Sequence, residues 1–162
     1  MSDLTLTKAR SEDAPVLLDL LQQLARDLGK EKEFRGSLAS ITSYGFASPA
    51  AFEAIIAWRG NTPLGFILFF SEFSTWRGSP GIYVQDLFVS TEARGLGLGG
   101  KLTAAAFEQG RQHGASYMRL SVHNDNEQAF GFYQALGFKP ASNETVLVME
   151  AADFDKALSG EA

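Results

Sequence analysis

The chain has 162 residues, of which 45% are hydrophobic and 20% charged, so we expect one folded domain spanning residues 1–162 and exclude a mostly disordered chain. Its formal charge of −5 disfavours a nucleic-acid partner, since nucleic-acid binding depends on basic patches, and is compatible with a cationic small substrate. The absence of cysteine excludes disulfides, thiolate metal sites and a cysteine nucleophile.

The N-terminal part of the chain predicts a strand followed by helices. Polar and apolar residues alternate from Leu4 to Lys8, which predicts a first strand, and nothing there resembles a secretory signal. Leucines at helical spacing then predict an amphipathic helix with Ser11 as its N-cap and Gly29 as its stop. Residues 30–51 are mixed in composition and predict a short second helix with loops.

The middle of the chain predicts three strands. Ala54–Trp58 and Leu64–Phe70 are apolar runs joined by a connection that contains Gly, Asn and Pro, which predicts an antiparallel hairpin. The second run has seven residues, whereas a membrane-spanning helix needs about 20, so we expect no membrane association and a cytoplasmic protein. Residues 71–81 are interpreted as a loop that leads into a strand over Ile82–Val89.

The remaining chain alternates helices and strands. The patterns predict a helix over Leu98–His113, a strand over Tyr117–Val122, a helix over Asn126–Leu136 and a last strand over Val146–Met149 before a polar tail at 151–162. A strand, a crossover helix and a second strand build a parallel pair, while the first half is antiparallel. The sequence therefore predicts an α/β fold with a mixed sheet and helices on both faces.

A glycine-rich loop separates the Ile82–Val89 strand from the next helix. It reads Arg-Gly-Leu-Gly-Leu-Gly-Gly-Lys over residues 94–101. Four glycines in six residues expose backbone N–H groups at the start of a helix, where the dipole favours an anion, so we interpret the loop as a phosphate cradle. A dinucleotide-binding loop would leave its strand at once, which this loop does not. A P-loop would need Ser or Thr where Leu102 stands, to hold magnesium.

Two patterns in this half of the chain resemble one family. Arg94-x-x-Gly97-x-Gly99 resembles the pyrophosphate-binding loop of the GNAT-type N-acetyltransferase superfamily, and N-x-x-A-x-x-F-Y-x-x-x-G-F over residues 126–138 is similar to its second motif. Residues 73–89 further resemble the diamine (spermidine/spermine) acetyltransferase-like branch. The likeness spans roughly residues 4–150 and implies a mixed, mostly antiparallel sheet that is splayed at its fourth strand.

The resemblance implies acetyl-coenzyme A as cosubstrate and a set of residues that contact it. The loop N–H groups would hold its pyrophosphate, with Arg94 adding charge, and the fourth strand would hold the pantetheine arm and polarise the thioester carbonyl. Asn126 would hydrogen-bond the cosubstrate, and Tyr133 would lie near the thioester sulfur. The strand and loop residues concerned are Leu87, Phe88, Val89, Gly95, Leu96, Gly97, Leu98, Gly99 and Gly100.

The resemblance also implies direct transfer to an amine, which needs no enzyme nucleophile and agrees with the missing cysteine. An alkylammonium has a pKa of about 10.4, so only about one part in a thousand is neutral at pH 7 and a proton must be removed before attack. Tyr133 is predicted to donate a proton to the departing thiolate. Two alternatives stay open, namely Tyr133 as a core aromatic residue and Asn126 as the N-cap of its helix.

The acceptor side departs from the diamine branch. Gln85 stands where that branch has a glutamate, and an amide cannot act as a base. The proton must therefore leave through a water chain or through a carboxylate from elsewhere. The candidate carboxylates are Asp27, Glu31, Glu33 and Glu72.

The predicted substrate-binding residues lie on several segments. Asp86 is expected either to contact a cationic acceptor or to satisfy backbone groups near the distorted strand, and Trp76 either to wall the acceptor pocket or to act as a packing lid. Together with Gln85 and Asp27 they form the predicted acceptor site.

We therefore expect an N-acetyltransferase that transfers an acetyl group from acetyl-coenzyme A to a primary amine of a small cationic substrate, polyamine-like or amino-acid-like. A homodimer is expected from the resemblance. The alternatives are an acetyltransferase that acts on a peptide or protein amine and a non-catalytic coenzyme A-binding module. Gln85 favours the binding module, and Tyr133 argues against it. Neither His113 nor His123 lies in a metal-ligand spacing, so we expect no catalytic metal.

Overall fold

The computed structural model describes residues 4–160, which contain five strands and five α-helices. Short 3₁₀ turns precede α1 and follow β4. Within this range, no helix combines the length and the apolar character that a bilayer crossing requires. The elements are β1 (Leu4–Lys8), α1 (Ala14–Asp27), α2 (Leu38–Gly45), β2 (Glu53–Arg59), β3 (Thr62–Ser74), β4 (Ser79–Val89), α3 (Leu98–Arg111), β5 (Met118–Leu120), α4 (Glu127–Ala135) and α5 (Ala151–Ser159).

The strands form one sheet in the order β1-β2-β3-β4-β5. The pairs from β1 to β4 are antiparallel, whereas β5 follows the crossover helix α3 and pairs parallel to β4. This parallel pairing covers only Ile82–Val84 of β4 and Met118–Leu120 of β5, although β4 continues to Val89. The predicted α/β fold, with a mixed and mostly antiparallel sheet opened at its fourth strand, is confirmed.

Each face of the sheet carries its own hydrophobic core. Helices α1 and α2 cover one face and α3 covers the other. Full burial of a large aliphatic or aromatic side chain contributes about 1.5–3 kcal/mol, so these layers hold β4 and the start of α3 in place. The fully buried side chains include Leu17, Leu20 and Phe66 in the α1 core and Ile67, Ile82 and Leu102 in the α3 core.

The start of α1 differs from the prediction, and its end agrees with it. Ser11 belongs to the 3₁₀ turn, and Asp13 is the N-cap of α1. The Asp13 carboxylate accepts a hydrogen bond of 2.8 Å from the backbone N–H of Arg10, which ties the turn to β1. The helix stops before Gly29, whose φ of 66° is a conformation that glycine adopts without strain.

The predicted loop over residues 71–81 is wrong. Strand β3 continues to Ser74 and β4 begins at Ser79, so a turn of four residues joins two long strands. Cross-strand contacts stabilise this extension, because the rings of Phe70 and Tyr83 stack with centroids 5.1 Å apart on paired positions. Gly78 closes the turn with a φ of 64°.

The C-terminal prediction is also corrected. Val146–Met149 does not form a strand, and the predicted strand over Tyr117–Val122 shrinks to the three residues of β5. The supposed polar tail contains the helix α5. Strand propensity is realised only where a neighbouring strand takes the backbone hydrogen bonds, and in the described chain residues 146–149 have no such neighbour.

Candidate active site

The candidate site is built on an irregularity in β4. The register between β3 and β4 shifts after Leu68, so Gln85 is an extra residue without a partner on β3. A bulge of this kind alters which side of the sheet the following residues face. Val84 packs in the α3 core and so does Leu87, so the alternation of faces skips one residue at Gln85 and Asp86. The distortion lies at two of the predicted substrate-binding positions.

The bulge places Gln85 and Asp86 in different surroundings. Gln85 is exposed, whereas Asp86 is partly buried. Burial raises the pKa of the Asp86 carboxyl, because its charged form loses solvation. Within residues 4–160, no ion pair or side-chain hydrogen bond reaches this carboxylate. A partly buried carboxylate without a cation is suited to bind one.

The last residues of β4 lie beyond the end of its pairing with β5. The backbone groups of Leu87, Phe88 and Val89 that face the β5 side therefore have no strand partner in the described chain. Their side chains are taken up by packing, with Leu87 and Val89 toward α3 and Phe88 toward α1. What these residues offer to a ligand is a set of backbone donors and acceptors.

The glycine-rich loop at residues 94–101 presents unpaired N–H groups to solvent. Gly95 and Gly97 have φ values of 79° and 71°, and a Cβ built at either would meet no atom within 4 Å. Helix α3 starts directly after Gly97, so the first N–H groups of the helix point toward the loop without intrahelical partners. Within residues 4–160, no N–H of residues 95–100 donates a backbone hydrogen bond. Such a helix N-terminus is an anion-binding arrangement.

The remaining loop residues serve packing as well. Leu98 is buried and anchors α3, whereas Leu96 is exposed. A Cβ at Gly99 would lie 2.8 Å from the Phe132 ring, so a larger residue there would force the ring to shift between α3 and α4. At Gly100 the nearest atom would be 3.5 Å away, which is ordinary contact. Sequence analysis assigned both glycines to cosubstrate binding, and no local pattern indicated the contact of Gly99 with α4.

Arg94 is held between β4 and α1. Its Nε donates a 3.1 Å hydrogen bond to the carbonyl oxygen of Val89, and its guanidinium forms an ion pair with the carboxylate of Asp27. Asp27 was predicted to bind substrate; in the structure it contacts the arginine of the predicted pyrophosphate loop. The two residues are 67 positions apart, and no sequence pattern indicated this pairing.

Tyr133 lies on α4, partly buried between two aromatic rings. The ring centroids of Phe132 and Phe138 are 5.1 and 5.5 Å from that of Tyr133, both edge-on. Burial, and to a smaller extent the negative charge of Asp86, raises the pKa of Tyr133 to about 12. The phenol is therefore protonated at neutral pH, and the tertiary structure brings it near the β4 bulge.

Asn126 caps α4. Its Oδ1 accepts a 3.1 Å hydrogen bond from the backbone N–H of Ala129, as one of the two sequence alternatives expected. Its carboxamide N–H groups have no partner among residues 4–160, so the cap leaves them available to a ligand. Nearby, His123 Nε2 lies 3.2 Å from Nζ of Lys30, a contact between the connections that precede α4 and α2.

Other predicted acceptor residues are not brought to the bulge. Trp76 is 99% exposed in the β3–β4 turn. The seven steps from Ser79 to Asp86 span roughly 23 Å of strand, so Trp76 and Asp86 of one chain do not line the same pocket. Its predicted role in acceptor binding stays a prediction. Of the candidate bases, Glu31 and Glu33 are exposed, and Glu72 is paired with Arg119 at 2.7 Å.

The site fits the cosubstrate that the resemblance implies. The loop offers open space and unpaired N–H groups for a pyrophosphate, Leu87–Val89 offer backbone N–H groups that β5 does not pair with, and Tyr133 offers a protonated phenol. Within residues 4–160, no three His, Cys, Asp or Glu side chains converge as metal ligands. The arrangement suits transfer of an acyl group from a phosphate-bearing thioester.

Comparisons with known proteins agree with this geometry. A thialysine N-epsilon-acetyltransferase of Bos taurus is 28% identical over 145 residues, which is 85% of each chain. An integron cassette protein of V. cholerae has a TM-score of 0.82 at 22% identity over 98% of both chains. An aminoglycoside N-acetyltransferase solved in complex with CoA has a TM-score of 0.71 at 20% identity, covering 93% of this chain and 95% of that chain. These two structures show the shared fold.

The family model described as the acetyltransferase (GNAT) family matches residues 17–138. The predicted family, the acetyltransferase activity and acetyl-coenzyme A as cosubstrate are thereby confirmed. The chain belongs to the acetyltransferase (GNAT) family.

Proposed function

We propose that this acetyltransferase acts on a primary amine of a small cationic metabolite. The observation that carries the proposal is Asp86, a partly buried carboxylate without an ion-pair partner in the described chain, beside the opened end of β4. A substrate ammonium or a second cationic group would supply the missing partner and offset the desolvation of the carboxylate. The net charge of −5 adds a long-range attraction for cations.

The similar protein of Bos taurus is named for thialysine, an amine, which supports the same substrate class for this chain. A homodimer and a cytoplasmic location were expected from the sequence and stay predictions. Acceptor binding by Gln85, Asp86, Trp76 and Asp27 also stays a prediction. Among these residues, Asp86 has the surroundings that suit a cation.

We further propose that Asp86 accepts the proton that the amine must lose. Gln85 cannot do so, and the pKa of Asp86 is raised by burial, which makes its carboxylate a stronger base than an exposed one. The proton passes from the ammonium nitrogen to a carboxylate oxygen of Asp86, directly or through one water. The neutral amine then has the lone pair that attack on a carbonyl carbon requires.

Tyr133 acts on the leaving group. Acetyl-coenzyme A supplies the acetyl group as a thioester. The phenol is protonated because its pKa is about 12, and it donates its proton to the departing sulfur. Asp86 and Tyr133 are coupled, since the charge of Asp86 is one cause of the raised pKa of Tyr133. Once Asp86 has taken the proton of the amine, its negative charge no longer disfavours the phenolate. The pKa of Tyr133 then falls, and the phenol becomes a stronger acid.

The backbone completes the proposed site. The N–H groups of residues 95–100 and the Arg94 guanidinium bind the pyrophosphate, and the carboxamide of Asn126 binds the cosubstrate. An N–H of Leu87–Val89 polarises the acetyl carbonyl, because these groups have no strand partner on the β5 side in the described chain. Asp27 positions Arg94 through their ion pair.

The test is thiol release from acetyl-coenzyme A with a panel of amines. The panel contains polyamines, lysine, thialysine and ornithine, aminoglycosides and peptides, each with the wild type and with Asp86→Asn. We expect turnover with small cationic amines and a loss of about 10²-fold in kcat/KM for Asp86→Asn. Asp19→Asn, an equal change at an exposed position of α1, is the matched control and retains activity.

Three outcomes would contradict part or all of the proposal. Turnover confined to peptides would assign the acceptor to a peptide or protein amine. Binding of coenzyme A without thiol release for any amine would identify a non-catalytic binding module. Wild-type rates in Asp86→Asn would remove Asp86 from the proton path even if small amines are acetylated.

A further inference from the structure

One contact near the candidate site has no part in the proposed mechanism. Lys30 lies in the connection that follows α1, and His123 lies in the connection between β5 and α4. Nζ of Lys30 is 3.2 Å from Nε2 of His123, although the two residues are 93 positions apart. A lysine ammonium has only donors, so Nζ donates and Nε2 accepts. This geometry leaves two further N–H groups of Lys30 and the Nδ1–H of His123 for other partners.

The two side chains have no counter-ion in contact. Among residues 4–160, no carboxylate lies within ion-pair distance of Lys30 or His123. Their acidic sequence neighbours, Glu31 and Asp125, are exposed, whereas Lys30 is partly buried. Arg94 in the nearby loop, by contrast, is paired with a carboxylate of α1. A partly buried ammonium without a counter-ion is suited to bind an anionic group.

The pair lies at the opened end of the sheet. The pairing of β5 with β4 ends at Leu120 and Val84. Counting on in the same register would place Val122 beside Asp86, and His123 is the next residue. One strand step is about 3.3 Å and one strand spacing about 4.8 Å, so the Cα atoms of Asp86 and His123 would be about 6 Å apart in a paired sheet and further apart where the strands diverge.

Both connections are tied to the proposed cosubstrate site. The backbone N–H of Asn126 donates a 2.9 Å hydrogen bond to the carbonyl oxygen of His123, which fixes His123 to the start of α4. On the other side, Lys30 follows shortly after Asp27, whose carboxylate pairs with Arg94. The contact of Lys30 with His123 therefore joins the two connections that flank the opened end of β4.

We propose that Lys30 and His123 bind the carboxylate of an amino-acid substrate whose distal amine is acetylated beside Asp86. The inference rests on the proposed function and narrows it, from small cationic amines to molecules with an amine at one end and a carboxylate at the other. Nζ of Lys30 donates to one carboxylate oxygen and a ring N–H of His123 donates to the other. The methylene chains of ornithine and lysine join two such ends.

The same pair discriminates against polyamines. Cadaverine is lysine without its carboxylate, so only an ammonium of cadaverine would lie beside Lys30. That ammonium repels the lysine side chain and leaves it without a counter-ion. The net charge of −5 attracts both classes of substrate, so the discrimination comes from this local positive group.

The first test compares substrates that differ only in the carboxylate. Thiol release from acetyl-coenzyme A gives kcat/KM for lysine against cadaverine and for ornithine against putrescine. We expect the wild type to favour each amino acid by about tenfold or more, as a charge-assisted contact to a carboxylate contributes. Fragmentation of the product by mass spectrometry should place the acetyl group on the distal amine, and acetylation of the α-amine would overturn the inference.

The second test assigns the preference to the pair. Lys30→Gln should abolish it by raising KM for the amino acids with little change in kcat, because the carboxylate is bound equally before and during the reaction. His123→Ala should weaken the preference in the same way. Lys30→Arg keeps the cation and should keep the preference. Lys32→Gln is the matched control, since Lys32 is an exposed lysine of the same connection, and it should behave as the wild type.

The outcomes separate this inference from the proposed function. Equal or faster turnover of the diamines overturns the carboxylate subsite and leaves small cationic amines as substrates. A preference for amino acids that survives Lys30→Gln overturns the assignment to this pair. If that variant also raises KM for acetyl-coenzyme A, the lysine binds the cosubstrate instead. No turnover of any small amine overturns the proposed function and this inference together.

Discussion

Asp86 and Tyr133 are the two groups of the candidate site whose pKa values are shifted, and burial is the largest cause for both. The protonated form of each is favoured in the folded state because the charged forms lose solvation. The residues lie on β4 and α4, and the charge of one acts on the other. Such coupled acidic groups are typical of sites that accept and donate a proton in turn.

The ionised Asp86 carboxylate destabilises the fold at neutral pH. Its pKa is raised above the ordinary 3.8, so the stability that the protonated group contributes is complete below that pH and is lost as pH rises through the folded pKa. We expect Asp86→Asn to unfold at a higher temperature than the wild type at pH 7, and the difference to vanish near pH 3. Thermal unfolding across this range measures it, and a lower Tm at pH 7 would contradict the assigned burial.

Tyr133→Phe removes the proposed acid while keeping the ring. We expect kcat/KM of the variant to be about 10²-fold below that of the wild type. This ratio should stay similar from pH 7 to pH 10, because a phenol with a pKa of about 12 stays protonated throughout. An alkaline decline near pH 10 that disappears in Tyr133→Phe would instead show a phenol with an ordinary pKa.

At the scale of elements, the site depends on how closely α3 approaches α4. Gly99 at the start of α3 faces the ring of Phe132, and that ring in turn contacts Tyr133. A side chain at residue 99 would displace Phe132 and with it the neighbouring phenol. The glycine-rich loop therefore combines two functions, open backbone at Gly95 and Gly97 and a helix contact at Gly99.

Gly99→Val should lower the free energy of unfolding by about 1–3 kcal/mol, as overpacked core positions do. Gly100→Ala is the control on the next residue, where the nearest atom would lie at 3.5 Å, and it should not destabilise. Chemical denaturation of both variants measures the difference. Equal stability of the two would mean that Phe132 moves aside without cost.

Elements with a strong local pattern were predictable from the sequence. The leucine spacing of α1, the glycine after it and the apolar runs of β2 and β3 were located within a few residues. The β3–β4 extension was not, since three of the four residues in Ser71–Ser74 are polar and the segment pairs because of cross-strand contacts such as Phe70 with Tyr83. The apolar run at residues 146–149 was predicted as a strand and is not one here, because pairing requires a partner.

At the scale of the whole molecule, the candidate site joins parts that are distant in the sequence. The end of α1 contacts the loop before α3, the β4 bulge lies near α4, and the connection after α1 reaches the one before α4.

The sequence by itself determined the family and the α/β class, and it located the glycine-rich loop and the helix that carries Tyr133, because these depend on short patterns of residue types along the chain. Only the tertiary structure decided that Asp27 pairs with Arg94, that Gln85 forms a bulge, that Asp86 is partly buried near Tyr133 and that Trp76 lies far from it. Burial, register and ion pairing are relations between segments that pack together, and they arise only when the sheet and its helices are assembled.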